Sequence, residues 1–577
     1  MIKALIDIGA ALKDKYPIPF AQIPYTKVNN NKPPRVIVIE LETDKGKNLK
    51  FTKAYHKDYD PDEARNMYYY REAKSKGASP SLSFKLPPKH SSLRERLSIL
   101  KNLGYFANLE DVANEIEKKV EEWKKEKGGS GSVLVVLKID GKWPGEDEGF
   151  TRNFGEKILQ ELAPKKYKKY WKTKGICHGC GEEKEVYAGM SSLLKFYTVD
   201  KVGFAPEVNP KIAWKEFALC KDCIYNLERG KRAVEDFLTF KFYGKDFWLI
   251  PVAERDNLNE VLKQLRKLHG ASSAKIKEEF ESAEDYLMYE ASKQEKVISY
   301  HFVFTKKEQQ ALRILLHIEE VLPSILKKFV SLKRDVEKKF NRTMEDAIAS
   351  DFKMHFNFFS SHNLRETQQL PGFTDKDFFN IVDKVFRKST VNEDLLIKTI
   401  MQRVQSEMAQ EGEDAKVPKY AVLEAFLSLE FLLKWGILKR KIGGNSMGES
   451  AFDEFFNKYN DFFNHPAKKG LVLFGVLVEK FLNYQRAQRD STPFLRVLKN
   501  LRLTQKDVGR VFRELQNKMN EYEIGHWWPK LREGIGVYFI AGGDNWPLSP
   551  DEIGFYIAIG MSIHNLPIFN QKSEETN

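Results

Sequence analysis

The chain has 577 residues and a mass of 67.0 kDa, enough for two to four domains of roughly 100–200 residues each. Hydrophobic residues make up 42% and charged residues 30%, a balance that excludes a wholly disordered chain. The net charge of +13 favours an anionic partner such as nucleic acid, although an excess this small among so many charged residues also fits simple solubility.

No segment has the pattern of a membrane span or a secretory signal. The longest strongly apolar run, Leu471–Val478, is far shorter than the ~20 residues that cross a bilayer. The chain opens without a basic region followed by an apolar one. We therefore expect a cytoplasmic protein with no membrane partner.

The first part of the chain, residues 1–165, mixes strand and helix signals. Arg35–Leu41 and Val133–Asp140 are rich in β-branched residues and predict strands. Glu110–Lys127 carries charges of both signs and predicts a solvated helix. We interpret this part as an α+β amino-terminal domain.

Two patches of this domain are rich in basic, aromatic and amide side chains. Such side chains contact phosphates, read base edges and stack on bases. The candidate nucleic-acid contacts are Lys27, Asn29, Asn30, Asn31, Lys32, Tyr69, Arg71, Lys74 and Lys76. Each patch alone also fits an ordinary solvated surface.

The cysteines of the chain fall into two C-x-x-C pairs, Cys177 with Cys180 and Cys220 with Cys223. Zn²⁺ prefers four thiolates in a tetrahedron, and each C-x-x-C turn presents two of them. A disulfide or a redox pair is the alternative, but a redox site needs only one such pair and cytosolic proteins rarely keep disulfides. We predict a structural zinc, with His178 as a spectator.

This metal argues for a structural role because four cysteines leave no open position for a catalytic water. We assign the zinc-binding segment to residues 166–251. Its last part, residues 241–251, predicts paired strands.

The middle of the chain, residues 252–445, has a largely helical pattern. Thr305 and Glu308 have the spacing of a capping box, which predicts a helix over Ala311–Leu322. Pro323 is then expected to kink or divide that helix.

The last part of the chain, residues 446–577, predicts a helical bundle after the Gly/Ser-rich linker Lys441–Ser450. Residues 508–522 repeat apolar side chains every three or four positions, which predicts a helix with one buried stripe. On another face, Lys506, Arg510 and Arg513 form a third candidate nucleic-acid contact. Ser549, Pro550 and Glu552 predict a helix start.

Sequence motifs of catalysis are absent. We find no phosphate-binding G-x-x-x-x-G-K-[ST] loop, no H-E-x-x-H and no G-x-S-x-G, and the eleven histidines are scattered singly. We therefore expect a chain without enzymatic activity. The alternatives are a metal-dependent nuclease or other nucleic-acid-modifying enzyme, and a zinc-stapled scaffold that binds only protein.

Several segments resemble one protein family, the CRISPR-associated large subunit of the type I-B Cascade effector complex. The resemblance is strongest in the zinc-binding segment, at CHGCGEEKEVYAG (177–189), AWKEFALCKDCIYNLERGKR (213–232) and FYGKDFWLIP (242–251). It extends to RVIVIELE near the start and to LREGIGVYFIAGGDNWPLSPDEIGFYIAIGMS (531–562) near the end. It is weakest in the helical middle.

This resemblance implies a non-catalytic role in an RNA-guided surveillance complex of antiviral defence. The partners it implies are a guide RNA with the backbone and other subunits of the complex, the target duplex DNA and a recruited helicase-nuclease. The amino-terminal domain would help recognise the motif flanking the target, and the chain would help hold the opened strands. It also suggests that a small subunit is translated internally from near Met447.

Overall fold

The structure is a computed structural model that describes residues 1–17, 35–44, 48–70, 81–86, 93, 97–102, 104–127, 133–162, 171–188, 193–194, 211–270, 282–308, 311–349, 351–360, 372–411, 415–438, 450–489 and 491–570. The fold is mixed α+β, with helices throughout the carboxy-terminal part. The strands are β1 (Arg35–Thr43), β2 (Asn48–Asp58), β3 (Ser83–Leu86), β4 (Phe106–Ala107), β5 (Val133–Ile139), β6 (Lys172–Ile176), β7 (Glu183–Ala188), β8 (Ala218–Cys220), β9 (Thr239–Phe242), β10 (Lys245–Ala253), β11 (Val297–Glu308) and β12 (Ala311–Val321).

The α-helices are α1 (Ile2–Ala11), α2 (Pro61–Asn66), α3 (Ile99–Asn102), α4 (Leu109–Lys127), α5 (Glu148–Leu162), α6 (Ala213–Glu216), α7 (Lys221–Ala233), α8 (Arg255–His269), α9 (Ala283–Ser292), α10 (Pro323–Met344), α11 (Asp375–Arg387), α12 (Glu393–Glu411), α13 (Lys419–Trp435), α14 (Asp453–Lys458), α15 (Pro466–Arg489), α16 (Gln505–Glu521), α17 (Pro529–Ala541) and α18 (Pro550–Ile563). Within the described residues, the strands form three sheets, of order β3-β5-β1-β2-β4, β12-β11-β10-β9 and β6-β7-β8.

The chain divides into two compact units. One comprises Met1–Thr239, Trp248–Gly270 and Thr305–Ile314, and the other comprises Phe240–Phe247, Ala271–Phe304 and Leu315–Asn577. The predicted boundaries at residues 165, 251 and 445 stay predictions.

The five-stranded sheet of the first unit has its core in the two strands that the sequence predicted. β1 and β5 pair in parallel, from Arg35 opposite Val133 to Leu41 opposite Ile139, and their apolar side chains are buried. Neighbouring strands that are buried on both faces favour β-branched residues, which explains why the sequences of β1 and β5 both predict strands. The predicted helix over Glu110–Lys127 is also confirmed, as α4.

The core of the second unit contains a cluster of phenylalanine rings. Phe329 of α10 lies 5.5 Å from Phe386, 5.8 Å from Phe356 and 5.6 Å from Phe431, measured between ring centroids. All four rings are buried. Tilted and edge-to-face contacts at these distances stabilise a core beyond the burial of apolar area.

Helices α15 and α18, in the carboxy-terminal part of the second unit, pack at unusually short range. A Cβ atom added to Gly475 would lie 2.1 Å from the carbonyl oxygen of Ile557, and one added to Gly560 would lie 2.0 Å from that of Val472. The two glycines therefore let the helix backbones touch.

Other predictions for the carboxy-terminal part are confirmed. Helix α16 buries Val508, Val511, Leu515 and Met519 along one stripe. Ser549 caps α18, and its side chain accepts a hydrogen bond from the backbone N–H of Glu552. The linker with Met447 lies outside the described residues.

The helix predicted over Ala311–Leu322 is wrong. Val297–Glu308 and Ala311–Val321 are strands, β11 and β12, and they are hydrogen-bonded neighbours in the four-stranded sheet. The aromatic and β-branched side chains of β11 favour a strand, and pairing with it decides the conformation of β12. Pro323 does not interrupt a helix; it lies at the start of α10, where its missing N–H costs nothing.

In the part of the chain that the structure describes, no helix is long and apolar enough to span a bilayer.

Candidate metal centre and nucleic-acid interface

The four cysteines come from two neighbouring turns of the first unit. Cys177 and Cys180 lie in the turn between β6 and β7, whereas Cys220 ends β8 and Cys223 lies in the first turn of α7. Gly181 closes the first turn with a φ of +76°, a conformation that favours glycine. Pairing of β7 with β8 then brings the two turns together, from Val186 opposite Cys220 to Ala188 opposite Ala218.

The four sulfur atoms have the separations of a metal-binding group. All of them lie within 4.8 Å of one another, and the Sγ atoms of Cys180 and Cys220 are 4.0 Å apart. A tetrahedral ion with metal–sulfur bonds of about 2.3 Å needs sulfur atoms about 3.8 Å apart, so a small contraction would suffice. None of the four forms a disulfide, and Cys180 is the exposed member. The cluster could therefore hold a metal ion.

Backbone N–H groups near the cluster favour the thiolate form of Cys177. Burial raises the pKa of the Cys177 thiol, but backbone N–H groups pointing at its sulfur outweigh this effect and lower its pKa to about 7. Two of them belong to Cys220, at 3.1 Å, and Gly179, at 3.4 Å. Burial raises the pKa of Cys220 to about 11 and also raises that of Cys223. A bound cation would stabilise all four thiolates.

His178 lies between the first two cysteines without joining the cluster. Its Nδ1 accepts a hydrogen bond from the backbone N–H of Ala218 at 3.1 Å. The group of ligand atoms contains the four cysteines and not this imidazole. The geometry agrees with the prediction that His178 is a spectator.

The cysteine cluster also supports the amino-terminal helix. Helix α1 packs on α7, the helix that begins at the second cysteine pair, through two glycines. A Cβ atom on Gly9 would lie 1.7 Å from the carbonyl oxygen of Asn226, and one on Gly230 would lie 1.9 Å from that of Leu5. Arg229 of α7 donates a hydrogen bond from Nε to the carbonyl oxygen of Tyr16 at 2.8 Å. Packing of α1 therefore depends on the position of α7.

Most of the amino-terminal nucleic-acid candidates lie outside the described residues. These are Lys27, Asn29, Asn30, Asn31, Lys32, Arg71, Lys74 and Lys76. Tyr69 is described, and its position corrects the role that we predicted for it. Its side chain is fully buried, and its ring lies 4.1 Å from that of Phe154. A ring with both faces covered cannot stack on a base, so Tyr69 is a core residue.

The carboxy-terminal candidates share one exposed side of a helix. Lys506, Arg510 and Arg513 are exposed on α16, away from its buried stripe. Arg510 is 3.0 Å from the carboxylate of Asp507, which also lies 2.9 Å from Lys499. We call Lys506, Arg510 and Arg513 the basic face of α16. A row of exposed cations at helical spacing can contact successive phosphates.

The structure brings together a second set of potential ligands that sequence reasoning missed. His301 on β11 and His317 and Glu319 on β12 have ligand atoms within 4.8 Å of one another. In the sequence, His317 and Glu319 alternate as H-x-E, which places both on one face of a strand. The prediction of a helix over Ala311–Leu322 concealed this pattern, because residues two positions apart do not share a face of a helix.

Comparison with protein families gives three matches along the chain. Residues 1–156, 174–321 and 351–575 match, respectively, the amino-terminal, central and carboxy-terminal domain models of CRISPR-associated protein TM1802 (cas_TM1802). A search of curated proteins gave no match. Since the three domain models occur in order and together span most of the sequence, the chain belongs to the CRISPR-associated TM1802 family.

Proposed function

We propose that the chain is the non-catalytic large subunit of a type I-B CRISPR RNA-guided surveillance complex. The observation that carries the proposal is the ordered match of three domain models from one CRISPR-associated family. In this role the chain recognises the motif flanking the target in duplex DNA. It then helps hold the opened strands for a recruited helicase-nuclease, while base pairing with the guide RNA reads the sequence.

The basic face of α16 supports contact with the DNA backbone. Its cations are exposed, and they lie on a helix whose opposite stripe is buried. Phosphate contacts of this kind position a protein on nucleic acid without reading sequence. We therefore assign the carboxy-terminal bundle to holding strands rather than to recognising the flanking motif.

The four-cysteine cluster supports a structural role for a bound zinc. Cysteine sulfurs that converge within 4.8 Å suit a tetrahedral thiolate site, and Zn²⁺ is the ion that most often occupies one. Four protein ligands leave no position for a substrate or a water. In our proposal the zinc fixes α7 and, through α7, the amino-terminal helix.

The salt dependence of DNA binding tests the proposal. We expect the full chain to bind duplex DNA with an affinity that falls steeply as salt rises, because each phosphate contact contributes about 0.9 to the slope of log K against log salt. Replacing Lys506, Arg510 and Arg513 together by Gln should reduce the slope by about 2 to 3. The matched control exchanges Lys506→Arg, Arg510→Lys and Arg513→Lys, which keeps the charge and should keep the slope.

Other outcomes of the same experiment would favour the other two functions. The absence of any salt-dependent affinity for DNA would favour a scaffold that contacts only protein. Cleavage of the DNA after addition of Mg²⁺ or Mn²⁺, abolished by replacement of a single acidic residue, would favour a nuclease.

A further inference from the structure

Three side chains of the neighbouring strands β11 and β12 lie close together in the second unit. The Nε2 atom of His317 lies 3.3 Å from Nδ1 of His301 and 3.5 Å from the carboxylate of Glu319. His317 and Glu319 are two residues apart on β12, so they share a face of the strand. His301 approaches them from β11. Backbone pairing of β11 with β12 therefore fixes the arrangement.

The distances suit a single metal ion. With metal–nitrogen bonds of about 2.1 Å, two imidazole nitrogens bound to one ion lie about 3.0 to 3.4 Å apart. The observed 3.3 Å falls within this range. Two histidines and one carboxylate are a ligand set for zinc, iron and nickel ions, and they leave further coordination positions open.

The surroundings of the three side chains also suit an ion. His301 is buried and His317 is half-buried, whereas the Glu319 side chain is 55% exposed and gives an ion a path from solvent. The nearby cation Arg387 is engaged elsewhere, with Asp383 at 2.7 Å and the carbonyl oxygen of His317 at 2.8 Å.

We propose that His301, His317 and Glu319 form a second metal site, separate from the four cysteines, that binds one divalent transition-metal ion such as Zn²⁺. The opposing interpretation is a hydrogen bond between two neutral imidazoles with no ion. It accounts for the 3.3 Å contact and leaves the carboxylate of Glu319 as a partner of His317 alone. The metal site is independent of the proposed role in the surveillance complex.

Zinc bound per chain distinguishes the two interpretations. The full chain is equilibrated with free Zn²⁺ after loading of the four-cysteine site, and the bound metal is measured by mass spectrometry. We expect two zinc ions per wild-type chain. Glu319→Gln should retain one, because loss of a direct ligand weakens binding by at least the 10- to 100-fold seen for loss of groups that support one. His317→Gln should do the same.

Glu320→Gln is the matched control, since Glu320 is the next residue of the same strand and does not belong to the cluster. It should retain both ions. Because Glu319 is exposed, the metal-free Glu319→Gln variant should have the same melting temperature as the metal-free wild type. A loss of zinc in this variant can then be assigned to the missing ligand and not to unfolding. Mg²⁺ should not fill the site, because it prefers oxygen ligands to imidazole. Equal zinc content in the Glu319→Gln, Glu320→Gln and wild-type chains would overturn the proposal.

Discussion

Each cysteine supplies one corner of the proposed zinc site, and three of the four are buried, so we expect a single substitution to disturb the folding of this segment. Cys177 has the most hydrogen-bond contacts described for the cluster, since its sulfur accepts from the backbone N–H groups of both Cys220 and Gly179. Serine at this position would remove a thiolate ligand and replace the sulfur by a neutral hydroxyl, which is a weaker acceptor for those N–H groups. The effect should spread from β6–β7 to α7 and from there to α1.

We therefore expect Cys177→Ser to lose zinc and to lower the free energy of unfolding by several kcal/mol. Structural zinc contributes on the order of 10 kcal/mol in small zinc-binding peptides, so even a partial loss is large. Metal analysis and thermal melting measure the two effects, and hydrogen exchange in α1 reports whether the helix opens.

The matched control for this substitution is His178→Ala, which changes the adjacent residue and leaves all four sulfurs in place. It should keep its zinc, with a small loss of stability from the hydrogen bond to Ala218. Full zinc content together with unchanged melting of Cys177→Ser would refute the four-ligand assignment.

The cysteine cluster could be predicted from the sequence because its spacing is local: two residues inside each pair define a metal-binding turn. The cluster of His301, His317 and Glu319 could not, since its members meet only through the pairing of two strands. The prediction that Tyr69 contacts nucleic acid was wrong for another reason. Aromatic side chains serve both as cores and as stacking surfaces, and residue type alone does not reveal burial.

Pairs of helices are held at the distances that their glycines permit. The contact between α15 and α18 is the clearest case, because the backbone carbonyl of Ile557 occupies the space where a side chain at Gly475 would lie. No rotamer change can relieve such a clash, since the obstructing atom belongs to a helix backbone. One of the two helices has to move.

We expect Gly475→Ala to destabilise the chain by about 1–3 kcal/mol, the usual cost of an overpacked core. Gly509→Ala is the matched control, because Gly509 lies in the exposed part of α16 with nothing within 4 Å of the added atom. It should stabilise α16 by about 0.5–1 kcal/mol through the higher helix propensity of alanine. Denaturant unfolding of both variants checks the pair, and equal stabilities would contradict this packing.

Elements with a strong local signal were predictable, and those that depend on a partner were not. β1, β5 and α4 follow directly from β-branched runs and from a helical charge pattern. β12 does not, because its sequence satisfies a helical pattern as well as a strand pattern, and the capping-box spacing of Thr305 and Glu308 favoured the helix. Pairing with β11 outweighed that local preference.

The whole molecule combines an α+β first unit that carries the cysteine cluster with a second unit that ends in helices. Segments around the cysteines and near the end of the chain indicated a CRISPR-associated protein, and the three domain models confirm that association. The DNA motif that the proposed function requires the chain to read could not be predicted. Base-reading residues form no fixed spacing, and most of our candidates lie outside the described residues.

The most direct test of the proposed function is to purify the tagged protein from its native host and identify the RNA and proteins that accompany it. We expect short RNAs of uniform length with a shared 5′ end, together with several other CRISPR-associated subunits. Intact mass spectrometry should also detect a product that starts near Met447 and disappears in Met447→Leu. Protein recovered alone and free of RNA would contradict membership in a surveillance complex, and DNA cleavage by that protein with added metal would establish a nuclease instead.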